Sequence, residues 1–307
     1  MTTAGFLLSR QASGGLASWA RSSGSDAVWV SPGGSVPAGI SEVNLFAGRF
    51  AASGQFTPAP GAVAFARSLR GHRVLAWVTG AVGVGGLDVG SAATRAAVVA
   101  SARVLLLSGF SGLQLDLGPV ANDDSGLLTL LTSLRALRPS VLGVMTPKVE
   151  PLAGLAVPAS LVLGHPVFWT AAYLSRVAAI ATQVTVLAYS TGLPFPSWYS
   201  GYVSRETRAA VTAVSGTGAS LLIGVPAFTE STTGHHGSAE TVTAALTGVR
   251  AGLTRAGAPA LAASGGHGRL VVGVGLVVPP PGAAAAVPAP SAADLSAYRS
   301  GWVSPAS

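Results

Sequence analysis

A single (β/α)8 barrel is the α/β fold that this 307-residue sequence predicts, and three observations predict it. Short β-type runs recur eight times along the chain, most of them near-continuous in Val, Leu and Ile. Helix-length segments separate most of these runs. The composition also supplies a large core, since 49% of residues are apolar and only 9% are charged. Strands buried on both faces of a parallel sheet read as continuous apolar runs, and alternation with helices over this length marks an α/β barrel.

In chain order the strand runs are Asp26–Val30 (DAVWV), Glu42–Phe46 (EVNLF), Arg73–Val78 (RVLAWV) and Gly112–Leu117 (GLQLDL). Val141–Thr146 (VLGVMT), Gln183–Tyr189 (QVTVLAY), Ser220–Val225 (SLLIGV) and Arg269–Val277 (RLVVGVGLV) follow. The helix over Ala59–Leu69 brings Val63, Phe65, Ala66 and Leu69 near one face. Ala92–Leu107 is a long Ala/Val/Leu helix. Ser125–Leu137 starts behind the N-cap cluster Asn122-Asp123-Asp124 and stops before Pro139. Ala171–Ala181, Ser204–Val214 and Ala239–Thr254 complete the set.

Only about ten residues separate the first two strands, below the dozen or more of an ordinary crossover, so the first crossover helix is expected to be short or missing. Residues 1–25 read as an N-terminal extension and 26–304 as the barrel domain. A Pro/Ala-rich insert over 279–290 precedes the closing segment Ala292–Trp302.

The same composition excludes several function classes. Cysteine is absent, which rules out a disulfide scaffold and leaves any zinc site to His, Asp and Glu. The apolar content and low charge rule out a disordered chain. The net charge is +7, but the basic residues, all arginine except Lys148, are scattered. Arg67, Arg70 and Arg73 form the densest group, and no basic run is interleaved with aromatics, so no nucleic-acid partner is expected. No window holds the roughly 20 apolar residues of a membrane span; the best, Leu270–Val278, runs into Pro279-Pro280-Pro281. MTTAGFLLSRQASGG has no basic region before its short apolar stretch. The chain is therefore expected in the cytoplasm by default, with export as the alternative and the oligomeric state left open.

Function in such a barrel sits at the carboxyl ends of the strands. In Gly109–Val120, side-chain alternation puts Gln114, Asp116 and position 118 on one face. Asp116 is the lone charge of an apolar strand. It reads either as a buried carboxylate bonded to neighbouring strands or as a carboxylate aimed at the barrel mouth.

The stretch GFSGLQLDLGPV resembles the fourth-strand motif of glycoside hydrolase family 18, the chitinase-like barrels, which reads Asp-Gly-x-Asp-x-Asp-x-Glu. It is closer to a bacterial group of family-18-like barrels that reads GFDGIxxDxEPV. RVLAWVTG, MTPKVEPL, VLAYSTGLP, LLIGVPAFTE with HHGSAETVTAALTGVRAGL, and AYRSGW resemble that group in order and spacing, over residues 26–302. The resemblance implies a protonated Glu that gives its proton to the glycosidic oxygen. It also implies an Asp two residues earlier, orienting the substrate's N-acetyl group, whose own oxygen is the nucleophile.

Carried over position by position, that Asp is Asp116 and that Glu is Gly118, which has no side chain. The outer motif acids fall on Ser111 and Gln114. The family's Tyr-Asp pair on the sixth strand falls on Tyr189-Ser190, and its aromatic floor on the eighth falls on Leu276, Val277, Val278 and prolines. General acid catalysis is worth about 10²–10⁴-fold, so the resemblance implies the fold without most of the reaction: a non-catalytic or very weakly active carbohydrate-binding barrel with a glycan as ligand.

An active glycosidase on N-acetylhexosamine polymers is the alternative, with Asp116 and Tyr189 joined by a recruited acid such as Glu150 or Glu230. Asp116 and Glu150 lie on adjacent strand ends and could meet the inverting separation of about 6.5–9.5 Å. In Pro147-Lys148-Val149-Glu150-Pro151, the plainer reading of Glu150 is a solvated loop acid beside Lys148. A drifted copy without selected function is a further alternative.

Gln114, Trp77, Trp198 and Tyr199 are the candidate substrate-binding residues. Trp77 also reads as core, whereas Trp198 and Tyr199 follow the sixth strand and suit a cleft wall. The glycines at 80, 83, 85 and 86 lack the lysine and spacing of a nucleotide loop, so no cofactor is expected. His235-His236 with Glu230 and Glu240 reads as loop and helix-start chemistry, so no metal is expected either.

Overall fold

The computed structural model describes residues 26–83, 85–149, 168–231, 234–262, 270–282 and 288–303, with side chains described up to 256 in the sixth helix. In chain order its elements are β1 (Ala27–Val30), β2 (Glu42–Phe50), β3 (Phe56–Pro58), α1 (Ala62–Ser68), β4 (Arg73–Ala81) and α2 (Ala92–Leu107). There follow β5 (Gly112–Gly118), α3 (Ser125–Arg135), β6 (Leu142–Thr146), α4 (Ala171–Ile180), β7 (Gln183–Leu187) and α5 (Pro196–Val214). β8 (Ser220–Pro226), α6 (Val242–Ala262), β9 (Val272–Val277) and α7 (Ala292–Tyr298) end the chain, α7 passing into a π-helical turn at Arg299–Val303. The expected N-terminal extension and residues 283–287 of the Pro/Ala-rich insert lie outside the described residues.

Eight parallel strands, β1-β2-β4-β5-β6-β7-β8-β9, close into a ring through the pairing of β9 with β1. The fold is the (β/α)8 barrel that the apolar runs imply. No helix forms between β1 and β2, where Pro32 and Pro37 flank turns. Gly33 (φ 86) and Gly39 (φ 90) supply the left-handed backbone those turns require.

Several elements differ from the sequence reading: β2 runs on to Phe50, and the sixth helix spans Val242–Ala262. β3 pairs antiparallel with the end of β2, through Gly48↔Pro58, Arg49↔Thr57 and Phe50↔Phe56. Helix α5 begins at Pro196, well before Ser204, because proline at the first turn has no amide to lose there.

The ring is weakest by register where β1 meets β9, with only Ala27↔Gly275 and Val28↔Leu276 paired. Asp26 reinforces that seam. It accepts from Val274 N (2.8 Å), from the Tyr298 hydroxyl (2.5 Å) and from Trp302 Nε1 (3.1 Å). Burial pushes its carboxyl above the usual aspartate range, and these hydrogen bonds only partly oppose that.

The barrel interior is partly polar. Glu42, Asn44, Gln114, Gln183 and Thr185 are all buried. Arg73 Nη2 donates to Glu42 Oε2 at 2.7 Å, and Gln183 Nε2 reaches the same oxygen at 3.4 Å. Gly143 makes room for the glutamines: a Cβ there would lie 2.0 Å from Gln114 Oε1 and 3.4 Å from Gln183 Oε1. The side-chain amide of Gln114 has no hydrogen-bond partner among the described residues, which is the setting that ordered internal water satisfies.

Outside the ring, α5 and α6 pack closely. A Cβ on Gly248 or Gly252 would meet the carbonyl oxygens of Ser200 or Ser204 at 2.5 and 2.6 Å. Among the described residues, no helix is long and apolar enough to cross a membrane.

Candidate functional site

A cleft of ≈ 650 Å³ opens at the carboxyl ends of the strands. Arg49 and Phe50 of β2, Thr79 of β4, Asp116 and Gly118 of β5, Met145 of β6, Leu187 of β7 and the Pro280–Gly282 segment line it. Parallel register sets the relation of its central groups. Trp77 faces Gln114 and Thr79 faces Asp116 across the β4–β5 join.

Asp116 lines the cleft, and features of both its sequence readings are present. It is also bonded to a neighbouring strand: Trp77 Nε1 donates to Asp116 Oδ2 at 3.2 Å. Burial raises its carboxyl to about 6, against the opposing pull of the Trp77 bond. The group therefore has both its acid and its base form within reach near pH 6.

Gly118, next on that face, also lines the cleft. A Cβ added there would meet nothing nearer than Val120 N at 3.9 Å, and its backbone is not left-handed. A β-carbon is thus accommodated there without a clash.

Tyr189 follows β7 and stands edge-to-face with Phe228, ring centroids 5.8 Å apart. Burial, then the charges of Asp116 and Glu240, push its phenol far above the tyrosine range, so it is a hydrogen-bonding hydroxyl at all ordinary pH values. Trp198 is 59% exposed and packs edge-to-face on Phe195, which is 52% exposed, with centroids 4.9 Å apart.

Neither Tyr189 nor Trp198 is among the described residues lining the cleft, and the other candidates lie outside that lining too. Trp77 and Gln114 have no exposed surface, so they sit beneath the cleft and not in its wall. Trp77 acts on the cleft through Asp116. Tyr199 is fully buried in the core, which corrects its expected place in a cleft wall: its turn of α5 faces inward while that of Trp198 faces out. Glu150 lies outside the described residues.

Lys148, the neighbour invoked for Glu150, is partly buried. Burial pulls its ammonium down, and the charges of Glu206 and Glu240 oppose that. Glu206, a buried residue of α5, accepts from Val149 N at 2.7 Å and from the Tyr202 hydroxyl at 3.1 Å.

Glu240 is a hub and not merely a helix start. Its Oε1 accepts from Thr191 N (3.0 Å), Thr191 Oγ1 (3.1 Å) and Gly192 N (3.1 Å), while Oε2 faces His235 Nδ1 at 3.1 Å. Burial pushes its carboxyl up, but the His235 and Thr191 contacts outweigh that and hold it below the usual range. This pair ties the loops after β7 and β8 together. Among the described residues, no three His, Asp or Glu side chains gather as a metal site would require.

Arg49 escaped the sequence reading because β2 continues past Phe46. The run FAGRF, with an apolar residue at its end, was the available signal.

No protein-family model matches the chain, and no curated protein matches it. The solved structures that resemble it are chitinases and chitinase-like glycosylases. A chitinase from Chromobacterium violaceum is 19% identical over 66% of this chain and 68% of its own, with a TM-score of 0.47. The spore cortex-lytic enzyme SleL of Bacillus cereus is 12% identical over 66% of this chain, with a TM-score of 0.49; the match spans only 51% of SleL. A class V chitinase from Pseudomonas fluorescens is 18% identical over 66% and 68% of the two chains, with a TM-score of 0.46. The barrel itself is established by its strand pairings, independently of these likenesses.

Proposed function

We propose that this protein is a carbohydrate-binding barrel of glycoside hydrolase type that takes up an N-acetylhexosamine glycan at the Asp116 cleft and cleaves it very slowly or not at all. The observation that carries the reading is the pairing of Asp116 with Gly118. One carboxyl group faces the cleft, and the position beside it offers space but no acid. The motif GFSGLQLDLGPV supports the same reading, because its resemblance puts the substrate-orienting Asp at 116 and the missing proton donor at 118.

Each retained group has a binding role. Asp116, steadied by Trp77, accepts a hydrogen bond from the acetamido N–H of the sugar. Tyr189, near enough for the Asp116 charge to act on its phenol, offers a neutral hydroxyl. The exposed Trp198–Phe195 pair offers apolar ring faces for a second sugar. Without a donor for the leaving oxygen, about 10²–10⁴ of rate is lost.

A second reading draws on one observation. A carboxyl titrating at about 6 is partly protonated in mildly acidic solution and can itself act as an acid. Asp116 would then serve a working glycosidase, with Glu150 as a recruited partner.

Fluorescently labelled chitooligosaccharides decide between the two. Saturable binding without product, abolished or weakened in Asp116→Asn, supports the binding barrel. Turnover that disappears in Asp116→Asn supports the enzyme. Neither binding nor turnover rejects both.

A further inference from the structure

The Asp116 cleft does not end at Arg49. A second cavity of ≈ 460 Å³ lies on the other side of that residue, lined by Phe46, Thr57, Pro58 and Pro60 among others. Arg49, Pro281 and Gly282 line both cavities. The two form one trough with a guanidinium at their junction.

Local structure holds Arg49 there. It is fixed on both sides by register, pairing with Thr57 of β3 and Thr79 of β4. Its guanidinium lies 5.9 Å from the centroid of the Phe46 ring, and Nη2 donates to the Pro281 carbonyl. Gly282, at φ 85, permits this approach: a Cβ there would lie 3.2 Å from Nη2. The remaining N–H groups of Arg49 have no protein partner among the described residues and are free to meet a ligand.

Among the described residues, Arg49 and Asp116 are the two ionisable groups in the lining of this trough. They ask for different chemistry at different places. Asp116, poised near neutrality, suits an uncharged acetamido donor. Arg49, permanently charged and forked, suits a carboxylate held by two parallel hydrogen bonds. The apolar walls beyond it suit the flat faces of sugar rings. The net charge of +7 favours the approach of a polyanion.

We infer that the trough takes an acidic glycan, one that alternates N-acetylhexosamine with a carboxylate-bearing sugar, and that Arg49 is the residue selecting the carboxylate. This rests on the carbohydrate-binding reading of the Asp116 cleft and names its substrate class. The carboxylate belongs either to a uronic acid or to a lactyl ether on a hexosamine.

Titration calorimetry of the whole chain with three probes tests this: a hyaluronan hexasaccharide (uronate), a tetrasaccharide containing N-acetylmuramic acid (lactyl ether) and neutral chitohexaose. At least one acidic probe is expected to bind about tenfold more tightly than chitohexaose, as a charge-assisted pair implies. Which acidic probe wins identifies the source of the carboxylate. The preference is expected to shrink as salt is raised and to vanish in Arg49→Gln, the acidic probes losing more affinity than chitohexaose. Chitohexaose binding as tightly as both acidic probes overturns the inference and leaves the carbohydrate reading standing. So does a preference that persists in Arg49→Gln. Failure of all three probes to bind overturns the carbohydrate reading itself, and the inference with it.

Discussion

Trp77, with none of its surface exposed, donates its indole N–H to Asp116 Oδ2 at 3.2 Å across the join of β4 and β5. A buried group therefore sets the direction of the carboxyl that faces the cleft. Trp77→Phe keeps an aromatic ring and removes the donor. The Asp116 carboxyl should then titrate above its present value, since the one bond favouring its charged form is lost. Glycan affinity should fall about two- to tenfold, in line with one lost hydrogen bond of about 1 kcal/mol. Carboxyl NMR titration and calorimetry read the two effects separately.

Asp116 also makes stability depend on pH. Its carboxyl is raised from 3.8 to about 6, so between these values the folded state binds more protons than the unfolded state. Stability then falls as pH rises through that window and stays reduced above it. Asp116→Asn removes the buried charge. It should raise stability at pH 7 by up to about 3 kcal/mol and change it little at pH 4. Urea unfolding at the two pH values measures the difference; equal effects at both would show that the charge is not held out of water.

Gly118→Glu places a carboxyl beside Asp116 where nothing obstructs the new Cβ. Folding stability should change by less than about 1 kcal/mol. Turnover of a labelled chitooligosaccharide should rise by about tenfold or more over the parent chain, with the Gly118→Gln control inactive, because only an acid can protonate the leaving oxygen. A folded Gly118→Glu protein that binds glycan yet gains no turnover would mean the surrounding groups no longer hold the sugar in a reactive pose.

Gly143→Ala tests the barrel interior. The added methyl would lie 2.0 Å from Gln114 Oε1, so the glutamine must move within a closed space. Destabilisation of roughly 1–3 kcal/mol is expected, as for other overpacked cores. Combining it with Gln114→Ala should recover part of that loss, which a double-mutant cycle by denaturant unfolding would show.

All eight barrel strands were legible because parallel strands, covered on both faces, must be apolar throughout; LQLDL and VGVGLV carry that signal openly. Asp116 was legible for the same reason, as a single charge in such a run. The short hairpin strand Phe56–Pro58 was not, since three residues on an edge leave no period to read. Trp198 and Tyr199 are neighbours in sequence with opposite fates, and helix phase separates them only once α5 is known to start at Pro196. Lys148, Glu206 and Glu240 come from three distant segments, so their mutual influence depends on ring closure and on no local pattern. Arg49 gains its importance from Pro281 and Gly282, which lie far along the chain.

The knot of hydrogen bonds on Asp26 has a topological consequence. Where the ring begins, Asp26 is gripped by Tyr298 and Trp302, so the first and last described segments of the barrel meet at one point. A permuted polypeptide, joined there by a short linker and cut open in a different loop, would keep every strand beside the same two neighbours. The cylinder's architecture is thus separable from the sequence order in which its staves are assembled.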